Sequence, residues 1–245
     1  MNSRLVAATL CLLLGASFNC EVVRAHSSGG KVPQDARKDV DAKDSVLKRL
    51  LVVYRQSPDT EAIKPAVEHA LKILPDKVVQ ALLAAGIKVR IVPTLLDYDA
   101  TLSWPFGMPP LKEEDSVVDD NFGIFHVETK SVLIAEKSAM GEGGKLERNP
   151  SPFRTTLHEC GHAFDFCSGD LSRREEFRLV CQSEGAGHWC FGRVPPNQKD
   201  VWESREVFAR CVMDQSLKLV GQPEERGNVL KLNPRCEQLV QRMIR

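Results

Sequence analysis

The sequence predicts an α+β domain with a small sheet, in which helices at both ends of the chain enclose a few short strands. Three observations carry that prediction. Apolar residues recur at helical spacing before Gly86 and again after Ser151. Between them, Ile87-Lys88-Val89-Arg90-Ile91-Val92 alternates with period two, the mark of a half-buried strand. The 245 residues, 42% of them hydrophobic, are ample for one domain with a real core.

At the N-terminus, Met1-Asn2-Ser3-Arg4 is a short positive stretch ahead of an apolar run from Leu5 to Phe18. Val23-Arg24-Ala25 then offers small residues where a signal peptidase reads, so residues 1–25 are expected to be a secretory signal cleaved after Ala25. The run is too short for a comfortable membrane span. Residues 26–43, with Gly29-Gly30, Pro33 and alternating charges, read as a flexible leader, and residues 44–245 as a single domain. An exported protein, secreted or periplasmic, follows.

Within that domain, Asp44 to Tyr54 reads as a helix with Val46, Leu47, Leu50 and Leu51 on one face. Ser57-Pro58 is an N-cap followed by a first-turn proline, opening a helix toward Leu74 that Pro65 interrupts or bends. A third helix starts near Pro75, carries Val78, Val79, Leu82 and Leu83, and stops at Gly86. The strand through Val92 ends at Pro93, and a loop with Trp104, Pro105, Gly107, Pro109 and Pro110 follows. Phe122–Val127 and Ser131–Ala135 read as two strands joined by a tight turn at Glu128-Thr129-Lys130. Met140 to Pro152, rich in Gly and charge, reads as a loop. Ser151-Pro152 caps a helix to about Cys167, and a last long helix begins near Asp200.

Charge and cysteine usage narrow the function. Lys plus Arg and Asp plus Glu balance at 33 each, so no global field favours nucleic acid or an anionic membrane. Beyond the signal, Cys160, Cys167, Cys181, Cys190, Cys211 and Cys236 form an even set, which in an oxidising compartment suggests disulfides. Cys181 and Cys190 would close a short loop around Gly185-Ala186-Gly187. None of the six forms a CxxC pair, which argues against a cysteine zinc knuckle.

The chemistry centres on His158-Glu159-Cys160-Gly161-His162. HExxH on a helix puts two imidazoles one turn apart on one face, where both reach a single zinc ion. The glutamate lies about a hundred degrees round the helix from the first histidine, placed to take a proton from the metal's water rather than to share the metal. The bland alternative is a helix with two ordinary surface histidines, but Leu157, Ala163, Phe164 and Phe166 make this helix largely apolar.

A catalytic zinc needs a third protein ligand and an open position. The metzincin extension demands a glycine at 165 and a histidine at 168; Asp165 and Ser168 stand there instead, which excludes that class. The remaining candidates are Glu175, Glu176, Glu184, Glu203 and Glu206. On the final helix Trp202, Ala209, Met213, Leu217 and Val220 form one stripe that includes Glu206, while Glu203 falls on the polar side with Arg210 and Asp214. A carboxylate on a buried face calls for a metal or a cationic partner such as arginine. Glu206 is therefore favoured over Glu184, which sits in a Gly-rich loop.

A family resemblance appears at this point. Glu206-Val207-Phe208-Ala209 resembles the third-ligand helix of the anthrax lethal factor catalytic domain and of the Pro-Pro endopeptidases. His158 to Asp165, HECGHAFD, is similar to their HExGHAxD helix. Leu74-Pro75, Leu82-Leu83 and Gly86-Ile87-Lys88-Val89 resemble the helix and first strand of those domains, so that the likeness extends from Asp59 to about Val220. It implies a zincin-like, gluzincin-type metallopeptidase fold, with N-terminal helices, a small mixed sheet, the HExxH helix, and a C-terminal helix that carries the third ligand. It further implies Zn2+ held by His158, His162 and Glu206, with Glu159 as base. Asp165 would support the ligands, its alternative being a plain surface carboxylate.

One feature departs from the family. The relatives' tyrosine, two turns ahead of the third ligand, is replaced by Lys199, and no tyrosine follows Tyr98. Oxyanion stabilisation would fall to His188, to Lys199 or to nothing. The hairpin from Phe122 to Ala135 offers an edge on which an extended peptide could pair, and His126 within it reads as part of a half-buried face. The expectation is a monomeric secreted zinc endopeptidase that acts on peptide or protein substrates. Its rival is a catalytically weak or inactive domain of the same fold that binds a protein partner.

Overall fold

The computed structural model describes residues 45–98, 122–139, 146–183, 199–221 and 234–245. The signal and leader, the loop around Trp104, and Glu184, His188 and Cys190 lie outside the described residues.

The architecture is α+β and mostly helical. A four-stranded mixed sheet takes the order β1-β2-β4-β3, with β1 (Leu51–Val53), β2 (Lys88–Val92) and β4 (Ser131–Ala135) parallel, and β3 (Gly123–His126) antiparallel to β4 at the edge. A second sheet is the hairpin of β5 (Lys137–Ala139) and β6 (Leu146–Arg148). The helices are α1 (residues 45–50), α2 (Pro58–Ile73), α3 (Asp76–Ala84), α4 (Leu95–Tyr98), α5 (Pro152–Cys167), α6 (Glu175–Ser183), α7 (Lys199–Leu219) and α8 (Pro234–Ile244). A 3-10 turn, Leu171–Arg173, joins α5 to α6.

Local chemistry explains most boundaries. The Ser57 hydroxyl accepts the Thr60 N–H at 3.0 Å, and Pro58 fills the first turn of α2. Pro65 does not interrupt the helix; the carbonyl it leaves without a donor is that of exposed Glu61. Gly86 ends α3 at a φ of +73°, the left-handed conformation that glycine adopts without a Cβ penalty. Residues 131–135 are buried throughout, as a strand covered on both faces must be.

Several boundaries depart from expectation. The helix expected to run to Tyr54 stops at Leu50, and Leu51–Val53 pairs in parallel with Val89–Ile91 instead. Here three hydrophobic residues satisfy a strand as well as a helix, and the available sheet edge decides. Residues 146–148 form a strand inside the segment read as loop. Helices α6 and α8 add to the expected set. Asp214, expected on a polar side of α7, is buried, and Val220, expected in the stripe, lies past the helix end and is exposed; α6 and α8 both pack on α7.

The main core runs from Leu47 and Leu50 through α2, α3 and the sheet to Phe208, Val240 and Ile244. The described cysteines belong to it rather than to cross-links. Cys160, Cys167, Cys181, Cys211 and Cys236 carry no disulfide, contrary to expectation; four of them are buried, and the Cys181 and Cys236 sulfurs stand 3.3 Å apart. Four of these thiols sit where apolar helix faces meet in one core and pack as small hydrophobes. Burial raises the thiol pKa of Cys160, and takes that of Cys167 to about 11. No helix among the described residues is long and apolar enough to cross a membrane.

Candidate metal centre

The centre is built where α5 crosses α7, with β3 on the other side of α5. His158 and His162, one turn apart, bring their Nε2 atoms to 3.1 Å. From α7, Glu206 reaches both: Oε2 lies 3.2 Å from His158 Nε2, and Oε1 lies 3.2 Å from His162 Nε2. The ion-pair partners of Glu206 are thus the two histidines, not an arginine. Neighbouring Arg205 turns the other way and binds Asp170 at 3.0 Å.

These distances suit a metal. A tetrahedral zinc with bonds of about 2.0–2.1 Å keeps its ligands roughly 3.3 Å apart. The three groups offer an N2O donor set within 4.8 Å of one another, and they are the group of this kind found among the described residues. His162 Nδ1 is buried without a hydrogen-bond partner, so that ring is held by packing and by what its Nε2 touches. In the metal-free geometry the three groups hold each other electrostatically. Burial pushes His162 down, but the charge and hydrogen bond of Glu206 outweigh it and lift the imidazole to about 9. Burial likewise pushes Glu206 up, and the histidines overcome it, holding the carboxylate well below its ordinary range.

Glu159 is not one of the three converging groups but lies beside them, with its Cγ against Gly123 on β3 and its charge felt by His158, His162 and Glu206. Burial raises its carboxyl pKa, partly offset by the two histidines and by a hydrogen bond from the Phe125 backbone on β3. Asp165 is buried rather than on the helix surface. Its carboxylate accepts from the Ser172 N–H at 2.7 Å and the Ser172 hydroxyl at 2.5 Å, which ties the 3-10 turn to α5. Arg205, through Asp170, ties the same turn to α7. His126 is buried and shares a 2.8 Å hydrogen bond with Thr129 across its own turn.

Two glycines let the elements approach. A Cβ on Gly161 would stand 2.7 Å from both Cα and O of Ala209, the residue three beyond Glu206. A Cβ on Gly123 would overlap the Thr155 methyl and come within 2.9 Å of Glu159 Cγ. Sequence reasoning passed over both, since nothing local marks a glycine that serves a tertiary contact.

The fold resembles that of a Pro-Pro endopeptidase. The solved structure of that enzyme from Paenibacillus alvei matches with a TM-score of 0.51 and 17% identity, over 81% of this chain and 99% of that one. At such identity the likeness concerns the fold. No protein-family model matches the sequence, and no curated protein matches it.

Proposed function

We propose that this protein is a zinc-dependent endopeptidase. The observation that carries the proposal is the convergence of His158, His162 and Glu206, from two helices far apart in sequence, on one point with ligand-like spacing. The resemblance of the fold to a peptidase supports the same class of reaction. Exported status, with residues 1–25 as signal and 44–245 as the working domain, belongs to the same reading.

In this proposal His158, His162 and Glu206 hold the ion. When bound, zinc supplies a Lewis acid that polarises the scissile carbonyl and makes a water more acidic. Glu159, raised in pKa by burial and seated beside the ligands, takes the proton from that water and delivers it to the leaving amine. The edge strand β3 offers an extended peptide a backbone to pair with; its contact with Glu159 sets that peptide next to the base. Oxyanion stabilisation is left to His188, to Lys199 or to no side chain of this protein.

The test is a pair of measurements on Glu159→Gln. Zinc content should stay at one equivalent, while cleavage of a peptide library falls by about 10²–10⁴-fold. Wild type and variant cleaving alike would exclude Glu159 as base. Zinc bound by both with no cleavage by either would favour the rival reading, a partner-binding domain of the same fold. Glu206→Ala should lose zinc; unchanged content would direct attention to Glu184.

A further inference from the structure

We propose that Gly161 and Gly123 are positioning residues for two different parts of the site: Gly161 sets the separation of the metal ligands, and Gly123 sets the placement of the Glu159 carboxylate. This rests on the metallopeptidase reading; Gly161 touches neither metal nor substrate, and Gly123 acts on Glu159 from within the strand proposed to pair with the peptide, so its effect is read in kcat at saturating peptide rather than in KM.

Helix α5 is held between α7 and the edge strand β3, and it meets each at a glycine contact closer than any side chain permits. The atoms opposing the two glycines differ in kind. Opposite Gly161 stand the Cα and carbonyl oxygen of Ala209, backbone that no rotamer change can move. Ordinary contact begins near 3.4 Å and the hypothetical Cβ lies at 2.7 Å, so alanine at 161 forces the helices apart by about 0.7 Å (3.4 − 2.7). That displacement falls where it matters most. Gly161 is next to His162, and Ala209 is one turn from Glu206, so the 3.2 Å gap between His162 and Glu206 widens directly. Metal sites tolerate about 0.2 Å in ligand distance, well under this shift.

Opposite Gly123 stand side-chain atoms, the Thr155 methyl and Glu159 Cγ. A Cβ there meets Thr155 and Glu159 first, whose χ angles can turn, at the cost of the 3.0 Å bond from the Thr155 hydroxyl to the Ser151 carbonyl; the backbone beside it, the Leu133 oxygen at 3.4 Å, is in ordinary contact. Glu159 swings away from the Phe125 N–H that helps to hold its carboxylate, while the histidines and α7 stay in place. A helix interior is a poor place for glycine, since alanine forms helix better. The approach of α7 gives position 161 a reason to lack a Cβ.

The consequence is a double dissociation that a general packing role would not produce. In the full chain, Gly161→Ala should weaken zinc affinity by about 10–100-fold in chelator competition, the loss expected when groups supporting a metal's ligands are disturbed. Its Co2+-substituted form should show an altered absorption spectrum. Gly123→Ala should keep zinc affinity and the Co2+ spectrum of wild type, yet cleave peptides about 10²-fold more slowly at saturating zinc and peptide, the cost of roughly an ångström of misplacement. Thr155→Ala combined with Gly123→Ala should recover part of that rate, because it removes one of the two opposing groups. Equal zinc affinity in Gly161→Ala and wild type would overturn the proposal, as would parallel losses of affinity in both variants that follow their melting temperatures. Should Gly161→Ala fail to fold without metal, its melting temperature should stay below that of zinc-loaded wild type even at zinc concentrations that saturate the wild type; a variant brought to the wild-type value at those concentrations would overturn the Gly161 assignment. A wild-type chain that binds no zinc would instead remove the reading on which the proposal rests.

Discussion

Glu136 shows how one side chain can lower the stability of this fold in a pH-dependent way. It is 3% exposed, and the Ser57 hydroxyl lies 3.0 and 3.1 Å from its two oxygens. Burial raises its pKa; Ser57 offsets part of this, and the nearby charge of Asp59 adds to the rise. A carboxyl group with a raised folded-state pKa binds its proton more tightly when folded, so stability falls as pH rises from the unfolded value through the folded one. Glu136→Gln should therefore raise the urea midpoint at pH 7 and leave it nearly unchanged below pH 4, where both states of the wild type are protonated. A variant no more stable at pH 7 would mean that the hydrogen bond already compensates for burial. The metal centre also rewards attention to single residues. That His158 and His162 stand side by side was legible in sequence because helix geometry alone fixes one turn of spacing. Glu206 was favoured by its place on a stripe of α7, although that stripe proved only partly right. Gly123 and Gly161 were not legible, since their partners come from other elements.

At the scale of elements, two helices with the same opening signal behave differently. Ser57-Pro58 and Ser151-Pro152 read alike, but only Ser57 caps its helix through the side chain; Ser151 makes no such bond. Asn149 takes over at α5, binding the Ser151 N–H with its side-chain oxygen and the Ala135 carbonyl with its amide. Ser57→Ala should accordingly cost about 1–2 kcal/mol, the upper part of the N-cap range, because it removes both the cap of α2 and the hydroxyl facing Glu136. Ser151→Ala should cost only a few tenths of a kcal/mol, as an ordinary substitution outside such features does. Denaturant titration of both variants at pH 7 measures the contrast; equal losses would mean that the two caps are equivalent. Periodicity located α2, α3 and β2 because each buries mainly one face, while α5, buried on nearly all sides from residue 156 to 165, was marked by its Ser-Pro opening and the HExxH spacing. It failed at residues 51–53, where three apolar residues have no period, and at residues 146–148, an exposed strand without an apolar face.

For the whole molecule, the decisive joint is α5 on α7. These helices meet in one core that reaches from Leu47 to Ile244, so anything that ties them stabilises the fold as a unit. The spread of burial round α7 was hidden in sequence because α5, α6, α8 and the 3-10 turn all pack on it, which α7 read alone does not reveal. If zinc binds as proposed, and to the folded state alone, it contributes about 2.7 kcal/mol when free metal exceeds Kd a hundredfold. For a chain of this size that raises Tm by roughly 5–10 °C. The increment should depend on pH in a defined direction. Without metal, Glu206 lifts the His162 imidazole from 6.5 to about 9 despite its burial. A raised histidine pKa contributes stability that is fully present below 6.5 and is lost as pH rises through about 9. A zinc-bound imidazole carries no proton, so the loaded protein lacks this term, and zinc must compete with it at low pH. The gap in Tm between zinc-loaded and metal-free protein should therefore widen from pH 6.5 to 9, through a fall in the metal-free value. Calorimetry of both forms across that window decides it. A metal-free Tm that stays level would show that His162 and Glu206 are not coupled through charge, and the tight triangle would then need another cause.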